Sequence, residues 1–600
     1  MRTAILIGPS VPGSPLEGDL RSLGYDDLRA AADIADAATM LAFLPDSGPE
    51  AGSVALVDSR FTGHTHSLRL ALTDPRWTAA AVPGAVVAHA GARPALARAT
   101  MRSHTLDGLT EQLAGQLRSD GGELVRPELG ALVAAVPADE AERVKAAAAV
   151  AAVDEEKVRL NSAVKSRDGF FTTFFISPYS KYLARWCARR GLTPNQVTTA
   201  SLLTALIAAG CAATGTRPGY VAAAVLLLFS FVLDCTDGQL ARYSLQYSTL
   251  GAWLDATFDR AKEYAFYAGL ALGAAANGDD VWALALGAMV LQTARHMVDF
   301  AFIEANQDAS GKAAANAAIS ARLDSVGWTV WVRRIIVLPI GERWAMVAVL
   351  TALTTPRITF YALLVGCALA ACYTLAGRVV RSMRAHDRRT DRAVRALGAL
   401  ADTGPLAEGA AAGLRGVARR LPAVGPPAVA ALGGAVMIAT ALFTPAGGLW
   451  PLLGALVYVV TSGLAVARPL TGPLDWLVPP LFRVAEYTTV LALAARADVS
   501  GALPAAFGLV AAVAYHHYDT EYRIRGGAGA PPAWLVRATG GQEGRALVAV
   551  AAAALLSGTG FTIALTVMAV AVAALVLTES IRFWVSSGAP AVHDETGEPA

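Results

Sequence analysis

The sequence predicts a mostly α, polytopic membrane protein with a small α/β domain at its N-terminus. Two observations carry this. The 600-residue chain is 54% hydrophobic with a mean hydropathy of +0.44, too apolar for a purely soluble protein. Runs of about 20 apolar residues, the length that crosses a hydrocarbon core, recur from residue 197 onward. Before residue 155 the apolar runs are short and bounded by Gly, Pro and Ser, as strands are. The net charge of +2, with a pI near 8.2, is too balanced to indicate a nucleic-acid partner. Five scattered cysteines without a C-x-x-C pair argue against a disulfide framework or a zinc site.

Residues 1–155 read as an α/β domain. "TAILIG", "SVALVDS" and "AAVPGAVVAHAG" are its strands, and Ala4–Gly8 is a buried strand, not a signal peptide. Residues 156–196 read as a linker and an interfacial amphipathic helix. "DEAERVKAAAAVAAVDEEKVRLNSAVKSRD" is one strong helix former leading into that region. The next segment combines Phe170, Phe171, Phe174, Phe175, Tyr182 and Trp186 with Lys181, Arg185, Arg189 and Arg190, the mixture suited to an anionic lipid surface.

A membrane domain over 197–385 follows, with spans near 197–215, 219–241, 250–276, 281–303, 336–355 and 358–378. Lys and Arg gather before the first span, in the 304–335 loop and after the sixth. The N-terminus and both ends of this unit are therefore expected on the cytoplasmic side of a cell membrane. A basic linker over 386–425, a second membrane domain of about six spans over 426–585, and an acidic tail over 586–600 complete the chain.

The chemistry lies in "LDCTDGQLARYSLQYSTLGAWLDATFDR", Leu233 to Arg260. Asp234 and Asp237 are three apart and share one helical face. Gly251, Asp255 and Asp259 step by four and form a second stripe. Facing carboxylates need a cation between them. A hard divalent ion, Mg²⁺ or Mn²⁺, prefers carboxylate oxygens and shares its other positions with phosphate. Gly238 and Gly251 leave room for a nucleotide beside the backbone, and Arg242 can pair with a phosphate. The bland alternative is that these aspartates form buried ion pairs with Arg242, Arg260 and Lys262.

The pattern D-x-x-D-G-x-x-A-R, eight residues, G-x-x-x-D-x-x-x-D resembles the signature of the CDP-alcohol phosphotransferases. Asp234, Asp237, Gly238, Ala241, Arg242, Gly251, Asp255 and Asp259 meet it without substitution. The resemblance covers about residues 165–385 and implies a six-helix membrane fold. It also implies transfer of a phosphoryl-alcohol group from a CDP-linked donor to an acceptor hydroxyl, with release of CMP. By the same resemblance Asp234, Asp237 and Asp255 hold the metal and Asp259 is the general base, while Gly238, Ala241, Arg242 and Gly251 line the nucleotide site. The layout is similar to the branch that makes di-myo-inositol phosphate phosphate or phosphatidylinositol phosphate. The donor is then CDP-inositol or CDP-diacylglycerol, and the acceptor a phosphorylated polyol or another alcohol. Arg295, His296, Lys312, Arg333 and Arg334 are candidate acceptor contacts, although each taken singly reads more readily as a topogenic charge. That branch often carries a cytidylyltransferase domain before the membrane domain. Its glycine-rich loop with an arginine is replaced here by "GPSVPGSPLEGDLR", so the N-terminal domain reads as a degenerate relative or a docking domain.

The second membrane domain echoes the first. "FRVAEYTTVLALAA" matches "FDRAKEYAFYAGLALGAA", "AYHHYD" matches "ARHMVD", and "GRALVAVAAAALLSGTGFT" matches "ERWAMVAVLTALTTPRITF", in the same order. Ala467, Arg468 and Asp475 persist there, but nothing replaces Asp234, Asp237 or Asp259. The second copy is expected to be inactive and to act as a built-in partner, an intramolecular pseudo-dimer in place of a homodimer. A transporter is the competing reading, and an inactive scaffold fits the second copy only.

Overall fold

The computed structural model of the chain describes residues 2–44, 52–103, 105–120, 124–165, 168–306, 331, 336–384, 389–445, 448–556 and 558–586. The acidic tail lies outside them, as does most of the 304–335 loop with Lys312, Arg333 and Arg334. The chain forms two compact units. One comprises residues 1–166 with 179–194 and 236–248; the other comprises 167–178, 195–235 and 249–600.

The first unit contains the expected α/β domain. Strands β1 (Thr3–Ile7), β2 (Asp27–Ala31) and β3 (Val54–Asp58) are joined by β5 (Ala79–Val82) and β6 (Ala85–Ala88) in the order β2-β1-β3-β6-β5. The pair β4 (Thr62–Gly63) and β7 (Ala134–Ala135) stands apart. β1 pairs parallel to β2 and β3, whereas β6 is antiparallel to β3 and β5. Alternation explains the double-sided burial. Ile5, Ile7, Val54 and Leu56 join one core with Leu41, Leu96 and Leu113, while Ala4, Ala55 and Val57 join another with Leu20, Leu68 and Leu72. The run "AAVPGAVVA" is thus two strands around a turn at Gly84, whose φ of +83° favours glycine.

The single long helix expected after this domain is two helices, Glu140–Ala151 and Glu155–Ser162. Asp154 adopts an extended conformation between them, and its carboxylate accepts the Lys157 backbone N–H, so it starts a new helix instead of continuing the old one. The second of these holds the far end of a membrane helix. Arg159 Nε donates to the Tyr243 carbonyl at 2.9 Å, with its guanidinium 3.7 Å from the Tyr243 ring centre. Tyr243 Oη donates to Glu156 at 2.9 Å, and Arg242 Nε donates to the Ala163 carbonyl at 2.6 Å. Ser180 donates to Gln239 at 2.8 Å. Helix Ser177–Arg189 buries Ser180, Ala184 and Cys187 and exposes Tyr179, Tyr182 and Trp186. A π-helical turn, Thr172–Ile176, precedes it in the second unit.

In the second unit, helices one to six of the first bundle are Pro194–Ala213, Arg217–Ser244 (continuous with residues 236–244 of the first unit), Thr249–Ala276, Trp282–Asn306, Ile340–Leu353 and Pro356–Arg384. Helices seven to twelve are Gly425–Phe443, Leu449–Val466, Val478–Arg496, Ala502–Arg525, Gly541–Leu555 and Thr559–Ser586. Among the described residues, seven helical segments are long and apolar enough to cross a membrane: 194–213, 217–244, 356–384, 425–443, 449–466, 475–496 and 559–586. The chain is a multi-pass membrane protein. Only 22% of the apolar window of helix twelve is buried inside the protein, a surface that suits lipid and not water. Helix five falls short of the span expected over 336–355. Its 14 residues rise about 21 Å, against a hydrocarbon core of about 30 Å.

Small residues bring these helices together. An added Cβ on Gly269 would stand 2.4 Å from the Ala209 carbonyl oxygen, and one on Gly273 would stand 2.1 Å from that of Ala212, so helices one and three touch through their backbones. Helix four packs on helices nine and ten, with Trp282 edge-on to Phe507 at 5.5 Å. The stretch expected to be a basic linker, 386–425, contains helices Asp391–Leu400 and Pro405–Ala418. Ala393, Ala396, Leu397 and Leu400 repeat at helical spacing and are buried, which overrode the polar composition.

Candidate active site

Helix two carries Asp234 and Asp237, and helix three carries Asp255 and Asp259, as the spacing required. Helix two ends at Leu245, a non-glycine residue with φ +52°. The Gln246 N–H bonds back to the Ala241 carbonyl at 3.0 Å, a closure that usually ends on glycine. The chain then re-enters as helix three. Oxygens of Asp234, Asp237 and Asp255 lie within 4.8 Å of one another. Three carboxylates at this spacing form an all-oxygen donor set that fits a hard divalent cation.

Asp259 stands outside that trio. Its Oδ1 lies 2.9 Å from Lys262 Nζ, and the same ammonium contacts Asp234 Oδ1 and donates to Ser201 Oγ at 3.2 Å. Lys262 is 0% exposed. The ion-pair alternative raised by the sequence thus holds for Asp234 and Asp259, alongside the three-carboxylate group. The signal was present in the sequence, because Asp255, Asp259 and Lys262 fall at i, i+4 and i+7 on one helical face.

A second layer of buried charge fixes helix three. Glu263 accepts from Arg260 Nη1 at 2.8 Å and from Tyr267 Oη at 2.7 Å, and lies 3.3 Å from Arg343 Nη2 on helix five. Arg260 also rests over the Tyr518 ring of helix ten at 5.0 Å. Gly238 faces open space apart from the Arg242 guanidinium, 3.5 Å from where a Cβ would stand. Ala241 is buried. Of the acceptor candidates, Arg295 donates to the carbonyls of Val337 and Leu338, and His296 Nε2 lies 2.8 Å from Glu521 Oε2.

A second cluster joins Asp402, His516 and His517, all buried, with donor atoms within 4.8 Å. Asp402 Oδ2 already accepts from Arg545 Nη2 at 2.7 Å and lies 3.0 Å from His517 Nε2. A guanidinium at that carboxylate makes this a closed polar network and a poor cation site. Asp402 lies in the supposed linker, so sequence reading missed it. Arg468 donates to the Leu421 and Pro422 carbonyls, and Asp475 accepts the Gly472 N–H at 2.8 Å; both serve local structure.

Residues 191–372 match the family model described as CDP-alcohol phosphatidyltransferase, and residues 391–600 match a family of unknown function. The chain is 32% identical over 130 residues to a phosphatidylinositol phosphate synthase from Streptomyces avermitilis, 20% of this chain and 51% of that protein. It is 29% identical over 119 residues to an archaetidylinositol phosphate synthase from Pyrococcus horikoshii, 20% of this chain and 62% of that one. It is 30% identical over 118 residues to a bifunctional IPC transferase and DIPP synthase from Aquifex aeolicus, 20% of this chain and 26% of that one. The chain therefore spans less than two thirds of each of these relatives.

Proposed function

We propose that this chain, which carries a CDP-alcohol phosphatidyltransferase domain in its first bundle, transfers a phosphoryl-alcohol group from a CDP-linked donor to an acceptor hydroxyl and releases CMP. The observation that carries the reading is the approach of Asp234, Asp237 and Asp255 from two helices, with Asp259 one turn further along the second. Asp234, Asp237 and Asp255 would hold Mg²⁺ or Mn²⁺, which when bound neutralises charge on the pyrophosphate and the leaving CMP. Asp259 takes the proton of the acceptor hydroxyl as that oxygen bonds to the donor's phosphorus and the bond from phosphorus to the CMP oxygen breaks. Gly238 leaves the backbone open to the nucleotide, with Gly251 proposed to line the same site, and Arg242 stands beside Gly238 to meet phosphate. Two of the relatives are named as synthases of inositol phosphate lipids, which favours CDP-diacylglycerol and inositol phosphate as the pair to try first. The basic residues around helices one and six favour a cytoplasmic site in the cell membrane.

The second bundle is proposed as a built-in partner, and the first unit's α/β domain as a degenerate nucleotidyltransferase relative. The packing of helix four on helices nine and ten favours the pseudo-dimer.

The test is CMP release by the full-length protein in detergent with Mg²⁺ or Mn²⁺. CDP-diacylglycerol and CDP-inositol are offered in parallel, each with inositol phosphate, beside Asp259→Asn. Turnover of one donor, lost in the variant, supports the reaction. Turnover of neither, without binding of metal or CDP, overturns it in favour of a transporter or scaffold.

A further inference from the structure

Lys262 fills the position between Asp234 and Asp259. Its ammonium has three N–H donors, and Asp234, Asp259 and Ser201 surround it, with the Trp344 ring centre 5.7 Å away. The group is fully buried and its neighbours come from helices one, two, three and five, so it is held in place and has no solvent-facing alternative. A divalent ion shared by Asp234 and Asp259 would have to occupy the same space. The trio that can hold an ion excludes Asp259, and Asp234 belongs both to that trio and to the Lys262 contact. A carboxylate has two oxygens, so it can serve both cations at once.

From this geometry we infer that Lys262 is a positioning residue that replaces a second divalent ion, so that the site loads a single ion on Asp234, Asp237 and Asp255. The inference rests on the metal-binding reading above. Its fixed charge holds the Asp259 carboxylate in place on helix three, which a dissociable ion would do only at sufficient concentration.

The experiment is a Mn²⁺ titration of the full-length protein in detergent, read by electron paramagnetic resonance and independent of turnover. The wild type is expected to bind one Mn²⁺ per chain, and so is Lys262→Arg. Lys262→Met is expected to bind two, with the exchange-coupled spectrum of a close pair. Two ions in the wild type, or one in a folded Lys262→Met, would overturn the inference. Where Lys262→Met does not fold, the counts for the wild type and Lys262→Arg decide: one in both supports it, and two in either sinks it. A wild type that binds no Mn²⁺ refutes the metal reading itself, a result distinct from binding two.

Discussion

Arg545 Nε lies 2.6 Å from Glu486 Oε1, tying helix eleven to helix nine with both side chains buried. Arg343 makes the corresponding contact with Glu263, from helix five to helix three, at 3.3 Å. These are the residues that the repeated "GRALVAV"/"ERWAMVAV" and "AEY"/"KEY" segments align. Asp299 contacts Arg378 on helix six, and Asp519 accepts from Ser580 and Trp584 on helix twelve, a second matching link. The two bundles thus share buried polar joints, while the carboxylate trio occurs in the first.

Breaking the joint in the second bundle should be costly. Arg545→Met leaves Glu486 and Asp402 buried without their guanidinium, a loss of about 3–5 kcal/mol. Adding Glu486→Gln should restore part of it. Thermal unfolding in detergent of both single variants and the double variant checks this; additive losses would contradict the pairing.

The two aspartates of helix three should separate functionally. Asp255→Asn is expected to lose Mn²⁺ binding and CMP release together. Asp259→Asn should keep the ion but lose about 10²–10⁴-fold in turnover, the range for a general base. Parallel Mn²⁺ titration and CMP-release assays distinguish them.

Glycines 238 and 269 should respond oppositely. Gly269→Leu drives a side chain into the Ala209 carbonyl and should destabilise by roughly 1–3 kcal/mol or more. Gly238→Ala meets no obstacle within the protein and removes a helix-interior glycine, so stability should hold or rise by about 0.5–1 kcal/mol. Its effect should appear as a higher KM for the CDP donor. Melting temperatures and donor titrations test both.

The α/β domain should weaken in acid. His66 is buried beside Arg159, Arg69 and His64; burial foremost, then those charges, push its pKa down to about 3. His89 is lowered chiefly by burial as well. A histidine whose folded pKa lies below its unfolded value binds more protons when unfolded. Stability is therefore full above about pH 6.5 and falls as pH drops toward 3, by up to roughly 1.4 kcal/mol per unit for each such histidine. Hydrogen exchange of peptides covering 54–72 in the full-length protein at pH 7, 5 and 4 should show rising exposure after correction for intrinsic rate. His66→Gln should flatten the trend.

The fold class, the strands and the Asp stripes were legible because each rests on local periodicity: alternate residues in β1 and β3, and steps of three or four around Asp234 and Asp255. Lys262 was legible as an ion-pair partner of the aspartates, but that one ammonium joins Asp234 to Asp259 depends on how two helices meet. The break at Asp154 was readable as a cap in front of "EEK", yet continuous alanine-rich sequence masked it. Asp402 meets Arg545 across 143 residues. No local pattern encodes such a contact, and a polar stretch of chain gave no reason to expect a buried one.

The clamp on helix two has a geometric consequence. Gln239, Arg242 and Tyr243 are fixed by segments that precede the membrane domain, whereas Asp234 and Asp237 project from the same rod one and two turns earlier. An α-helix turns about 100° per residue. Inserting one residue between Asp237 and Gln239 would turn both carboxylates by about 100° relative to the gripped residues. The length of that short segment acts as a phase setting for the two carboxylates of helix two.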